Sequence, residues 1–197
     1  MNLRSNFQLT AALAAIDAAN SMDPREIPFE GHQRPYELVY SHHMSETLAE
    51  FAPDASVPLR IAARAQHLER WAKPRHTYPD DRVGYLKWRS DLKAFHAERL
   101  GELLDCIDLT PETVERAQFL VQKKNLKKDP ETQILEDVAC IVFLRYYAAE
   151  FIRHHPDEKV VAILSKTLRK MSPRGITVAT DSALPERVRR LLLQAAG

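Results

Sequence analysis

Residues 132–152 read TQILEDVACIVFLRYYAAEFI and form the most apolar long segment of the chain. Apolar residues recur there at helical spacing, which predicts the central helix of an all-α fold. Asp137 departs from that pattern. It has Ile134, Cys140, Ile141 and Leu144 at i−3, i+3, i+4 and i+7, so its carboxylate falls on the face the helix buries. A buried carboxylate needs a cation, a metal or several hydrogen-bond donors. Asp137 is therefore a candidate catalytic or metal-ligating residue. The structural alternative is a salt bridge to an Arg of a neighbouring helix.

Asp129-Pro130 starts this helix, and Thr110-Pro111 starts the one before it, each with a capping side chain followed by Pro. Asp157 caps a later helix that ends near Met171-Ser172-Pro173. Upstream, residues 7–19, 35–51 and 59–71 read as helices, and a further one runs from about Gly84 to Cys106. Residues 20–35 are punctuated by DP, IP, EG and RP and read as a loop. ITVAT, residues 176–180, is the one strand candidate. The tail from about residue 173 is flexible or holds a last short helix from Leu184. The expectation is one all-α domain over residues 1–197, a helical bundle of about seven to eight helices.

The 197 residues suffice for one domain with a proper core. A net charge of +1 supplies no global field for nucleic acid or a membrane surface, so an anion site must be local. The N-terminus lacks a signal-peptide core, and no apolar run spans a bilayer, so a cytoplasmic protein is expected. Cys106 and Cys140 have no metal-type spacing and read as small packed hydrophobes of a reducing compartment. None of the five Gly forms a phosphate-binding loop, which argues against Rossmann and P-loop folds.

Residues 62–100 hold both Trp, three of the eight His and a dense set of Arg. His67 and His96 each sit on the seam between an apolar and a basic helix face. Neutral imidazole there can ligate a metal or act as a general base. A hydrogen-bonded core His is the alternative for either alone. Arg64, Arg70, Arg75, Arg82 and Arg89, with Tyr85, are candidate substrate-binding residues, because guanidinium forks match phosphate and carboxylate. The alternative is a solvated basic face paired with Glu69, Asp80, Asp81 and Asp91. A divalent metal on His67, His96 and Asp137 would make His67 and Asp137 catalytic.

Two resemblances bear on these residues. PYELVY, RAQHLERWAKPRHTYPDDRVGYLKWR, FHAERL, KKNLKKDPETQILEDVACIVFL and KTLRKMS resemble an uncharacterised domain-of-unknown-function family whose members are often labelled glutamyl-tRNA synthetase-like. KMSPR, residues 170–174, resembles the KMSKS-type signature of class I synthetases. The companion His-x-Gly-His signature and an α/β nucleotide-binding pattern are missing, which argues against aminoacylation. The order of His67, His96 and Asp137 is similar to that of HD-domain phosphohydrolases. That likeness implies an HD-domain-like helical fold, a divalent metal cofactor and phosphate-ester hydrolysis. Ala97 stands where that superfamily has its aspartate ligand.

Two functions are expected from this reading. One is an HD-like metal-dependent phosphohydrolase acting on a phosphorylated small molecule or nucleotide. The other is a metal-free phosphate- or nucleotide-binding protein on a degenerate HD-like scaffold. The expected partner of either is an anionic small molecule; neutral net charge and the lack of a known module argue against nucleic acid.

Overall fold

The computed structural model describes residues 3–196, and among these the chain is largely helical. The order is α1 (Leu3–Asn20), β1 (Glu26–Phe29), β2 (His32–Pro35), α2 (Tyr36–Phe51), α3 (Val57–Arg64), α4 (Arg82–Leu104) and α5 (Pro111–Val121). Then follow α6 (Pro130–Val142), α7 (Ala148–Arg153), α8 (Asp157–Leu168), α9 (Pro173–Asp181) and α10 (Glu186–Ala196). Contacts divide the chain into two compact units, Met1–Lys124 and Asn125–Gly197. Among the described residues, no helix is long and apolar enough to cross a membrane.

The helix starts follow from local chemistry. Ser56, Thr110, Asp129 and Ser172 each accept a backbone N–H of the first turn of α3, α5, α6 and α9, and each is followed by Pro within the first two helical positions. Asp81 caps α4 in the same way through Gly84 N–H, at 2.6 Å. Charged and hydroxyl caps of this kind satisfy donors that the helix itself leaves open.

In the first unit α1, α2 and α5 pack on α3, and α1 and α5 pack on α4. Ala12, Ile16, Met44, Leu48, Leu59, Ile61, Leu68, Leu100, Leu104 and Leu120 form the buried interior. In the second unit α6 packs on α9, and α8 and α7 on α10, burying Leu135, Ile141, Leu144, Val160, Leu164, Val188 and Leu191.

Several expectations are corrected. Residues 26–35 are not loop but an antiparallel hairpin in which Phe29 pairs with His32. Its two-residue turn, Glu30-Gly31, has positive φ at both positions (50° and 79°), the conformation that matches strand twist. ITVAT lies inside α9, not in a strand, because the Ser172 cap and Pro173 start a helix that outweighs β-branched propensity. The tail from residue 173 holds two helices, α9 and α10, where one short helix from Leu184 was expected. The apolar segment 132–152 is not one regular helix: a π-helical turn, Phe143–Tyr147, separates α6 from α7. With the tail folded and this segment divided, the described residues hold ten α-helices where about seven to eight were expected from periodicity. Cys140 is buried as expected, whereas Cys106 is exposed.

Asp137 is buried at 1% exposure, as its neighbours require. Its hydrogen-bond partners are Ser172 and Gln133 and not an Arg. Ser172 donates its backbone N–H to Oδ1 (2.8 Å) and its hydroxyl to Oδ2 (2.6 Å), and Gln133 Nε2 donates to Oδ1 (3.0 Å). The Ser172 hydroxyl oxygen in turn accepts Gly175 N–H at 3.0 Å. The carboxylate thus latches the start of α9 onto α6. Gly175 has no room for a side chain, because a Cβ there would stand 2.6 Å from Asp137 Cγ. Asp137→Ala is expected to cost about 2–4 kcal/mol, since it removes charge-assisted bonds and leaves Ser172 donors unpaired. Gly175→Ala should cost a comparable amount by displacing the same carboxylate. Urea denaturation measures both; a loss below about 0.5 kcal/mol in each would show that the latch carries no stability.

Candidate functional site

The first unit gathers its chemistry around His67. This residue does not lie on a helix as its periodicity suggests: α3 ends at Arg64, and residues 65–69 form consecutive turns before a 3-10 turn at Arg70–Ala72. The turns are tied down. Glu69 has φ 48°, and its N–H donates to Asn20 Oδ1 at 3.0 Å. Arg99 of α4 grips the Glu69 carboxylate through Nε (2.7 Å) and a second nitrogen (3.3 Å). The His67 ring then stacks on Tyr40 of α2, with centroids 3.9 Å apart and planes within 12°.

Arg70 Nη1 stands against both ring nitrogens of His67, 2.7 Å from Nε2 and 3.3 Å from Nδ1. Glu37 Oε2 lies 3.3 Å from Nδ1 and has no hydrogen-bond donor among the described residues. A carboxylate oxygen only accepts, so a ring proton on Nδ1 suits it and leaves the lone pair on Nε2. Glu37 is 1% exposed at the start of α2. Its Oε1 accepts from Arg25 at 2.8 Å, and Asp23 holds Arg25 through Nε (3.0 Å) and a terminal nitrogen (2.9 Å). Asp23 also accepts the Glu37 backbone N–H at 3.1 Å. Asp23, Arg25, Glu37 and His67 therefore form one connected chain.

Burial and charge set the protonation of this group. Burial, and then the charges of Arg70, Lys123, Arg89 and Arg25, hold His67 well below the usual imidazole range, so it is neutral. His96 of α4, 3% exposed and with its ring centroid 6.4 Å from that of His67, is pushed down to about 3 by burial and then by His67. Its Nε2 is buried and has no hydrogen-bond partner among the described residues. Burial raises the Glu37 carboxyl, with Arg25 opposing. Burial alone would lower Arg25, but its bonds to Asp23 and Glu37 outweigh that and raise it.

The cations differ in what neutralises them. Arg70 lies over the Trp88 ring at 5.0 Å, while Trp88 Nε1 donates to the Lys73 carbonyl at 2.8 Å. Arg70 has no ion pair among the described residues. Arg89, half-buried on α4 one turn beyond Tyr85, makes neither hydrogen bond nor ion pair among the described residues. Tyr85 is 44% exposed and leans on Trp88, with centroids 6.0 Å apart. Arg82 is exposed at the start of α4.

The other expected Arg residues have structural employment. Arg64 holds Asp17 of α1 with two bonds of 2.7 Å and also contacts His42. Arg75 donates to the Tyr78 carbonyl at 3.0 Å and stays 3.6 Å from Asp80, bracing the loop before α4. Asp137 belongs to the second unit, with both oxygens engaged as described above. Ala97 is buried beside α5, whose Gln118 donates to the Ala97 carbonyl at 2.8 Å. A separate open groove of about 430 Å³ lies between α4 and α5; Glu98, Glu115 and Lys124 line it, so its charged lining is mainly acidic, unlike the His67 region.

Sequence reasoning missed Asp23, Arg25 and Glu37. A partial signal for Glu37 existed: Tyr40 and Met44, at i+3 and i+7, are apolar like the neighbours of Asp137, although Ser41 at i+4 is polar. Asp23-Pro-Arg25 carries no periodic pattern and read only as loop punctuation.

The fold and site define a largely helical protein whose first unit presents a neutral His framed by cations. The chain belongs to the domain-of-unknown-function family DUF4202, which it matches over residues 10–192. No curated protein and no solved structure matches it significantly.

Because the folded-state value of His96 lies below its ordinary 6.5, its contribution to stability is complete above about pH 6.5 and is lost as the pH falls toward about 3. His67 acts in the same direction. Glu37, raised in the fold, opposes them by stabilising the low-pH side. The melting temperature should therefore fall below about pH 6.5, with His96 contributing up to about 1.4 kcal/mol per pH unit. His96→Met is expected to flatten that acid limb; an unchanged limb in thermal melts across pH would refute the assignment.

Proposed function

We propose that the first unit binds a phosphorylated small molecule, without a metal, between the His67 turns and α4. The observation that carries this reading is the half-buried Arg89, which has no counter-ion among the described residues, close enough to influence the same neutral His67 as Arg70 and Lys123. Uncompensated guanidinium charge in partial burial is costly unless an anion completes it. Tyr85, exposed beside Trp88, offers an aromatic surface for the remainder of the ligand.

The metal-dependent form of the hypothesis draws on His67 and His96 lying near one another and on the unpartnered His96 Nε2. The residues around His67 do not fit a divalent cation. Arg70 Nη1 already stands against both ring nitrogens, at 2.7 and 3.3 Å, and the neighbouring charges of Arg25, Arg89 and Lys123 oppose a further cation. Within the described residues of either unit, no three His, Cys, Asp or Glu group to hold a metal. We read the scaffold as a degenerate relative of HD-domain phosphohydrolases: the order of His67, His96 and Asp137 supports that, and Ala97 fits a site that works without the metal.

Thermal melts and calorimetry with inorganic phosphate, pyrophosphate and adenosine monophosphate test the reading. Binding should be detectable in the millimolar range or tighter and weaken about ten- to hundredfold in Arg89→Ala or Arg70→Ala, the loss of one charge-assisted contact. Arg64→Lys should weaken the fold but leave affinity alone. No melting shift with any of these anions, or full affinity in both Arg variants, would overturn the proposal.

A further inference from the structure

We infer that His67 is a general base, positioned by Glu37 and masked by Arg70 until an anion arrives, so that the site hydrolyses a phosphate monoester rather than only holding it. The inference rests on the anion-binding reading above.

Three observations carry it. The Tyr40 stack fixes the plane of the imidazole, and the Glu69 tethers to Asn20 and Arg99 fix the turn that bears it. Glu37 Oε2 faces Nδ1 and as a carboxylate can only accept, which favours the ring proton on Nδ1 and the lone pair on Nε2. Glu37 Oε2, buried at 1% exposure and lacking any hydrogen-bond donor, stands 3.3 Å from Nδ1. A short ring adjustment lets Nδ1–H donate to it. A carboxylate behind one nitrogen of a neutral imidazole and a lone pair on the other is the arrangement that general-base chemistry needs.

Arg70 explains why such a base would be quiet in the free protein. Its guanidinium nitrogen stands against both ring nitrogens now, at 2.7 and 3.3 Å, and its positive charge opposes proton uptake by the ring. A phosphate dianion offers it charge-assisted, bidentate bonds, stronger than its contact with a neutral ring. When Arg70 turns to the phosphate, Nε2 can take a proton beside the bound group. The other groups that face His67 respond as well: Glu37 on α2, Arg25 ahead of β1, Arg89 and His96 on α4, and Lys123 beyond α5. The dianion offsets the cations among them, which lifts the basicity of the ring when substrate is present.

The reaction balances. A water oxygen attacks phosphorus while His67 Nε2 takes one of its protons, and the resulting imidazolium keeps its Nδ1–H toward Glu37. The phosphorus–oxygen bond to the leaving alcohol breaks, with Arg70 and Arg89 holding the phosphoryl oxygens. The alkoxide gains a proton from solvent, His67 returns its proton to solvent, and hydrogen phosphate and the free alcohol remain. Glu37 touches no reacting atom and is a positioning residue.

The experiment uses the full chain with inorganic phosphate and p-nitrophenyl phosphate. Long-range proton–nitrogen spectra should show the Nδ1–H tautomer of His67 in the free protein, and saturating inorganic phosphate should shift its Nε2 resonance as Arg70 leaves. His67→Gln should bind inorganic phosphate within about threefold of wild type but lower p-nitrophenyl phosphate turnover about a hundredfold. Glu37→Gln should lower kcat more than it changes KM and move the acid limb of kcat/KM to lower pH, a displacement that a purely structural loss would not cause. If inorganic phosphate does not bind, the anion-binding reading fails. If it binds but p-nitrophenyl phosphate is not turned over, or turnover survives in His67→Gln, the general base is refuted and binding alone stands.

Discussion

The first unit depends on one buried negative charge. Glu37 is all but inaccessible to water, yet it stands at the start of a helix instead of deep in an apolar run. A single counter-ion would close the account, and Arg25 supplies it. Asp23 then claims Arg25 as well, so two carboxylates share one guanidinium. The imbalance leaves one Glu37 oxygen without a donor and draws the Nδ1 side of His67 toward it. The ring's other nitrogen is then left as an acceptor, and Arg70 Nη1 stands against the ring, 2.7 Å from Nε2 and 3.3 Å from Nδ1. Orientation, tautomer and the surrounding cations all descend from that one desolvated carboxylate.

Much of the fold was legible because its signals are local. A Ser, Thr or Asp followed by Pro marks a helix start whatever surrounds it, and Ser56, Thr110, Asp129 and Ser172 all behave so. The helix count was less legible, since the π-helical turn at Phe143–Tyr147 leaves no mark in composition. His67, His96, Arg70 and Arg89 stood out by residue type and do gather in the first unit. Which Arg would be free did not stand out. Arg64 and Arg89 look alike in a sequence, and only Asp17, forty-seven positions before Arg64, separates them. Asp23 and Arg25 were illegible for the same reason: their meaning is a contact with the first turn of α2.

Asp137 shows how far a burial argument reaches. Its neighbours correctly place it inside, but they do not say what satisfies it. Cations and metals come to mind first, whereas a hydroxyl and a backbone N–H at a helix start serve as well. The same contact accounts for the KMSPR segment, where Ser172 is a helix cap held from below by a carboxylate. A short run that resembles a synthetase signature here has a mechanical explanation.

The small hairpin looks incidental beside the helices, yet it brings Arg25 to α2: the Arg25 carbonyl accepts Tyr36 N–H at 2.8 Å, closing the ribbon just ahead of Glu37. A two-stranded ribbon has two bare edges, each a template on which another chain could add a strand. This one carries Pro28 opposite Gln33 and Pro35 opposite Glu26, so each strand lacks a donor. Four-residue strands with those gaps make a poor seed for intermolecular β-pairing. The protein gains a rigid bracket for a charged residue without gaining a route to fibrils.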